Sequence, residues 1–321
     1  MTHKSRTRRW ISRALKLVVA VLLLGWLTTS GRLDFSPLLQ ASLSPLHLVG
    51  FPLVALSIVP STMRWRWLLR IQGVDAGFRQ VLTWLWIGEF FALTLPGSMG
   101  AELARGFYVV RNTERDRLGA LSTLLLDRVL GLFAALFLGS LSFAVSLLGD
   151  DPPDAALTVV GVAVTLLLLA VGGFSLGVAG RPTRALMLRL VPKRFSDSVE
   201  TVLSSYLAQK WLLARCFVLS LVPHLLLMLA FMVAGEMLGT PLQWHQVLLV
   251  VPLVLIAIVL PISPGGIGVG ETAASVLFAQ LGAPNGAAIM LLVRVWLILL
   301  QLCGGLVYLA SSGNAGSHSL R

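Results

Sequence analysis

Leu260-Pro261-Ile262-Ser263-Pro264-Gly265-Gly266-Ile267-Gly268-Val269-Gly270-Glu271 ends the apolar run 247–260 with two prolines and four glycines. Proline removes a helical hydrogen bond and glycine frees the backbone, so no single helix crosses this stretch. The run before it has 14 residues, about 21 Å of helix, where a membrane span needs about 20 residues. A counterpart lies upstream. Leu95-Pro96-Gly97-Ser98-Met99-Gly100-Ala101-Glu102 ends the 15-residue run 81–95. Each break is followed by a second, weakly apolar segment.

Around these two short segments the chain is strongly apolar. Of its 321 residues 56% are hydrophobic and 12% charged, and the mean hydropathy is +0.86. A soluble domain carries about 25% charged residues, so a water-facing surface is excluded. Two cysteines, Cys216 and Cys303, exclude a disulfide scaffold or a Cys-rich metal protein. Six runs are long enough to span: about 13–30, 43–63, 118–148, 155–179, 212–237 and 286–310. Lys4 to Lys16 ahead of the first run resembles a signal peptide with a faint twin-arginine pair, Arg8-Arg9. No small-residue cleavage site follows, so an uncleaved first helix is expected.

Charge placement decides how the broken segments run. Of 25 basic residues, six lie in 1–16, four in 64–79, four in 102–117 and seven in 180–215. Clusters of this kind mark cytoplasmic loops and attract anionic lipid head groups. The loop 149–154 carries Asp150, Asp151 and Asp154 and no base. If 81–95 crossed the membrane, the acidic loop would fall inside and the most basic loop, 180–215, outside. A re-entrant hairpin over 81–111 puts all four basic clusters on the cytoplasmic side.

Treating 247–282 alike gives span, span, hairpin, span, twice. The expected fold is an all-α polytopic membrane protein with six full spans and two re-entrant helical hairpins, eight apolar segments in all. Three spans per half invert the second half relative to the first, as in many secondary transporters. The expected organisation is a basic cytoplasmic N-terminus 1–16, one transmembrane domain 17–310 with inverted halves of about 17–149 and 155–310, and a tail 311–321. Both termini are expected in the cytoplasm. Segment 195–207 reads either as an interfacial amphipathic helix or as a plain connector.

Charges inside apolar segments are costly and default to functional candidates. They are Glu89, Glu102, Arg105, Asp127, Arg128, Glu236, Glu271 and Arg294. Glu89 and Glu236 rank lower, near a hairpin arm and a span end. Glu102 is followed 26 residues on by Arg128, and Glu271 23 residues on by Arg294, a pairing repeated in each half. Glu102 and Arg105 share a helix face. Pro96, Gly97, Ser98 and Gly100 at the first break, and Ser263, Pro264, Gly265, Gly266 and Gly268 at the second, open half-helices whose unpaired N–H groups suit an anion. Arg128 and Arg294 would add phosphate contacts. The predicted site is a central cavity where both hairpin tips meet, suited to an anionic or zwitterionic lipid head group. The competing reading keeps the ion pairs for helix register and the glycines for close packing.

Other chemistry is absent from the pattern. Gly266–Gly270 has the glycine spacing of a nucleotide loop but no βαβ unit before it. The five histidines lack ligand spacing, no nucleophilic triad is evident, and the dispersed basic clusters do not form a nucleic-acid face. Trp65, Trp67, Trp84 and Trp86 with Arg64, Arg66 and Arg70 read as interface anchors, with contact between Arg64-Trp65-Arg66-Trp67 and phospholipid head groups as the alternative.

Four motifs carry a resemblance: Arg64-Trp65-Arg66-Trp67-Leu68-Leu69; Leu95 to Glu102 with Arg105; Asp127-Arg128-Val129-Leu130-Gly131; and Leu260 to Val269 with Glu271. They resemble the flippase-like transmembrane region of lysylphosphatidylglycerol synthases, which also occurs as stand-alone membrane proteins. The family often has Gly-Gly-Asp where this chain has Gly100-Ala101-Glu102, and a Glu where it has Asp127; both changes keep the charge. The resemblance implies movement of aminoacylated phospholipid between leaflets of a bacterial-type cytoplasmic membrane, and stand-alone members of the family accompany hopanoid, polyprenyl-lipid or glycolipid pathways. The expected partners are these lipids, with a second copy of the chain or lipid-biosynthesis enzymes beside them, and no nucleic acid. No aminoacyl-transferase domain is expected, since only the tail 311–321 follows the last span, and neither enzymatic activity nor a cofactor or metal is expected. The rival readings are a membrane enzyme or enzyme subunit acting on lipid-linked sugars through Glu102, Asp127 or Glu271, and a non-transporting scaffold of a lipid-biosynthesis complex.

Overall fold

The computed structural model describes residues 29, 39, 41–93, 99–113, 116–149, 153, 155–180, 193–259 and 263–315. The expected first span (Thr29 apart), the basic N-terminus, the charges of the acidic loop and the tail beyond 315 lie outside these residues. Among the described residues the regular elements are helices. They are α1 His47–Leu56, α2 Ile58–Ile71, α3 Phe78–Ala92, α4 Met99–Arg111, α5 Arg117–Ser146 and α6 Ala155–Ala179. There follow α7 Lys193–Ala208, α8 Lys210–Met237, α9 Trp244–Val259, a 3₁₀ turn Pro264–Gly266, α10 Val269–Gln280 and α11 Gly286–Ala315.

Four segments have the length and apolarity to cross a membrane: His47–Ile71 (α1 continued by α2), Arg117–Ser146, Lys210–Met237 and Gly286–Ser311. At 25 to 30 residues each they reach roughly 38–45 Å, beyond the ~30 Å of a hydrocarbon core. The helix of the expected second span continues to Ile71 rather than ending at 63. Its added turns hold Arg64 and Trp65, which the core satisfies, so the polar residues do not stop it. Ser57 separates α1 from α2, just ahead of Pro60, which has no N–H to donate to the Leu56 carbonyl.

The chain forms two compact units. One comprises 57–85 and 104–225; the other comprises 1–56, 86–103 and 226–321. In the first, α5 packs on α6 and α2. The Gly161 backbone lies against the Phe143 ring, and a Cβ on Gly172 would stand 3.4 Å from Phe133, so small residues of α6 seat aromatic residues of α5. Helix α7 is folded onto this unit rather than a loose connector. Its Val202 and Tyr206 join a buried cluster with Leu68 and Cys216. The Tyr206 hydroxyl meets Ser122 Oγ at 3.1 Å, and burial raises its pKa above the ordinary 10.0.

In the second unit α11 packs against α10 and α1, and α10 against α9. Trp296 is fully buried and its Nε1 donates to His47 Nδ1 at 2.9 Å, which fixes the His47 tautomer with Nε2–H directed at the Ala41 carbonyl, 3.0 Å away. The Trp296 ring occupies the space over Gly50 where a side chain would start.

Both broken segments turn back on themselves. Gln80 Nε2 donates to Asn112 Oδ1 at 3.3 Å, Trp84 stacks on Tyr108 at 6.3 Å, and Gly100 lies against the Phe91 carbonyl. Pairing 80 with 112, 84 with 108 and 91 with 100 makes α3 and α4 antiparallel neighbours. Gln246 Nε2 likewise donates to the Leu281 carbonyl at 2.8 Å, and Ile258 packs over Gly266 and Gly270, so α9 and α10 repeat the arrangement.

Gly50→Val should lower the thermal unfolding midpoint in detergent by several degrees, because overpacking a seated ring costs about 1–3 kcal/mol. Gly173→Val, whose Cβ meets nothing within 4 Å, should leave the midpoint nearly unchanged.

Candidate functional site

Among the described residues, each unit buries a carboxylate–guanidinium centre. In the first unit it is built on α2, α4, α5 and α8. The buried positions of α2 include Ile58, Thr62, Arg64, Trp65, Leu68 and Leu69, a single helical stripe, so Arg64 is carried inward with its apolar neighbours. Its Nε donates to Asp127 Oδ1 at 2.7 Å, and its Nη1 to Ser220 Oγ at 3.0 Å. The absence of a side chain at Gly131 leaves room for the guanidinium, whose Nη1 is 3.8 Å from the site of a Cβ there. Arg105 Nη1 reaches the other oxygen of Asp127 at 3.3 Å, and the Arg105 guanidinium stands 5.4 Å from the centroid of Trp65. Trp65 is held in turn by Nε1–H donation to Thr123 Oγ1 at 3.1 Å. Asp127 is 5% exposed and Arg64 7%. One carboxylate thus shares two guanidiniums where desolvation would make an isolated charge costly.

The motif residues now have separate tasks. Arg64 and Asp127 form the pair, Trp65 supports Arg105, and Arg66 Nε donates to the Ala76 carbonyl at 3.1 Å, closing the turn after α2. The carbonyl of Gly131 meets His224 Nε2 at 3.1 Å.

In the second unit the centre sits on the second break. Gly265, Gly266 and Gly268 have φ of 58°, 69° and 83°, the left-handed region that glycine alone enters freely. This turns the carbonyls of Gly265 and Gly266 toward α11, where Arg294 Nη1 and Nη2 donate to them at 2.9 and 3.0 Å. Glu271, at the start of α10, accepts from the Gly268 N–H at 2.7 Å. It also forms an ion pair with Arg294 through Nε and Nη2, the latter at 3.2 Å. Glu271 is fully buried and Arg294 7% exposed. The anion at this helix N-terminus is therefore the chain's own carboxylate, which suits the positive end of the helix.

The structure thus brings together Arg105 with Asp127, and Glu271 with Arg294, Gly265, Gly266 and Gly268. Ser263 is buried beside the break, and Pro264 opens the 3₁₀ turn. Gly100 is buried, while Glu102, Arg128 and Glu89 are half-buried and Glu236 is exposed. Pro96, Gly97 and Ser98 lie outside the described residues.

One reading is corrected. Arg64, Trp65 and Trp84 are not interface anchors: they are 7%, 0% and 4% exposed, and the Trp65 and Trp84 rings meet at 6.1 Å. Sequence reasoning therefore missed Arg64 as the main partner of Asp127. The signal for it was the apolar stripe of α2 on which Arg64 lies. Ser220 and Thr123 carried no sequence signal of their own.

Long apolar helices with charges paired inside them define a multi-pass membrane protein. Residues 13–305 match the family described as the lysylphosphatidylglycerol synthase TM region, and the chain belongs to that family. No curated protein and no solved structure matches the chain.

Asp127→Asn should cost about 3–5 kcal/mol, the penalty for stranding a buried counter-charge. Ser220→Ala should cost about 1 kcal/mol, one neutral hydrogen bond. Reversible unfolding in mixed micelles measures both, and equal costs would refute charge pairing as the reason for the cluster.

Proposed function

We propose that the chain is a lipid translocator of a bacterial-type cytoplasmic membrane, handling a lipid head group through Arg105, Asp127 and Arg128 beside the first broken helix. The observation that carries the reading is the Arg64–Asp127–Arg105 cluster inside a membrane-family fold. A purely structural ion cluster can often be replaced by apolar residues without loss of stability, whereas charges inside spans by default mark a substrate path. Arg105 and Arg128, on α4 and α5, offer planar donors of the kind that hold phosphate. Glu102, in the first turn of α4, belongs to the same broken segment.

The second break takes a different part in this reading. Its carbonyls and the Gly268 N–H are engaged by Arg294 and Glu271, so this centre holds the broken helix in shape while the first handles the ligand. Six spans and two re-entrant hairpins, with both termini cytoplasmic, fit the basic clusters and the antiparallel pairing within each broken segment. Movement of the lipid is passive or driven by rocking of inverted halves, and no aminoacyl transfer is assigned to the chain.

The test is a proteoliposome assay with head-group-labelled phospholipid, hopanoid and polyprenyl-linked lipid. The intact chain should equilibrate at least one of them between leaflets. Arg105→Gln and Arg128→Gln should slow that exchange roughly ten- to a hundredfold, the loss of one charge-assisted contact of about 1.5–3 kcal/mol. A leaflet distribution equal to that of empty liposomes for all three lipids would refute translocation.

A further inference from the structure

Helix α8 leaves an open groove beside α2, remote in sequence from both breaks. Its volume is about 450 Å³, and its lining includes Trp67, Trp211, Arg215, Val218 and Val222. The four α8 residues are spaced by four, three and four positions, which aligns them in one stripe along the helix. Trp211 is 77% exposed, Val218 61% and Val222 38%, although the helix is long and apolar enough to span. Trp67 forms the opposite wall and is braced against the buried cluster of Leu68, Val202, Tyr206 and Cys216, so that wall is rigid.

The stripe has a direction. Helix α8 begins at Lys210, directly after the amphipathic helix α7, so Trp211 and Arg215 stand at the membrane boundary and Val218 and Val222 deeper. From Trp211 to Val222 the stripe rises about 16 Å, half of a ~30 Å hydrocarbon core and hence the depth of one leaflet. Tryptophan beside arginine at the boundary matches the glycerol and phosphate level of a phospholipid. The groove has one cationic residue on its rim, Arg215, and no acidic residue among the described residues that line it.

We infer that this groove holds one anionic phospholipid of the leaflet on the α7 side, its phosphate on Arg215, its glycerol region against Trp211 and one acyl chain along Val218 and Val222. The inference needs α8 to span the membrane and is independent of whether the chain moves lipids. The bound lipid fills the surface between α2 and α8, the two helices that supply Arg64 and Ser220.

Native mass spectrometry of the full chain in detergent, titrated with phosphatidylglycerol or phosphatidylcholine, tests it. One phosphatidylglycerol should be retained per chain in preference to phosphatidylcholine. Arg215→Gln should weaken that retention about fivefold, as expected for one basic residue at an anionic lipid surface. Trp211→Ala should also weaken it, whereas Trp244→Ala, at an exposed tryptophan on α9, should not. All three substituted residues are exposed, and unchanged melting of the lipid-free variants excludes misfolding as the cause. Equal retention of both lipids, retention unaffected by Arg215→Gln, or a dimer that phosphatidylglycerol does not displace would overturn the inference.

Discussion

A charged side chain stays inside an apolar helix layer only when its counter-charge is held within hydrogen-bond reach, because neither water nor lipid tail can replace the partner. Both compact units obey this constraint with the same chemistry and different wiring. In one, Asp127 on α5 draws in Arg64 from α2 and Arg105 from α4, and Arg64 extends to Ser220 on α8. A single carboxylate thereby sets the register of four helices. In the other, Arg294 on α11 joins Glu271 to the carbonyls of the break.

The two broken segments answer a second constraint, that backbone groups freed by a break must be satisfied inside the protein. At the second break, left-handed glycines present carbonyls to a guanidinium while a glutamate accepts the Gly268 N–H. Close approach follows from two further glycines: Gly270 lets Ile258 and Arg294 pack against α10, and Gly100 lets α4 lie on the Phe91 carbonyl. The likeness between the two broken segments is therefore one of helix pairing and charge placement.

Much of this was legible in the sequence. Proline and glycine marked both interruptions, hydropathy marked the long helices, and the spacing of Glu271 and Arg294 anticipated their pairing. What could not be read was any partnership set by tertiary packing. Arg64 and Asp127 are 63 residues apart, and the alternation of arginine and tryptophan at 64–67 has the composition of a membrane-interface belt. Only the phase of the α2 stripe separates inward Arg64 and Trp65 from the more exposed Arg66 and Trp67. The capture of the Gly265 and Gly266 carbonyls was equally hidden, because it depends on backbone conformation rather than on side-chain type. Segment 195–207 reads in sequence as either an amphipathic helix or a connector, and the docking of α7 through Val202 and Tyr206 depends on the surface that α2 and α5 present.

The central claim is that charge makes the first broken segment return to the side from which it entered. Its most direct test is side-specific thiol labelling in oriented membrane vesicles, with Cys216 and Cys303 replaced and single cysteines placed at Asp75, Asn112 and Leu148, all exposed. The account predicts that Asp75→Cys and Asn112→Cys label from one side, the cytoplasmic one, and Leu148→Cys from the other. Labelling of Asp75→Cys and Asn112→Cys from opposite sides would make the segment a full crossing and contradict the account.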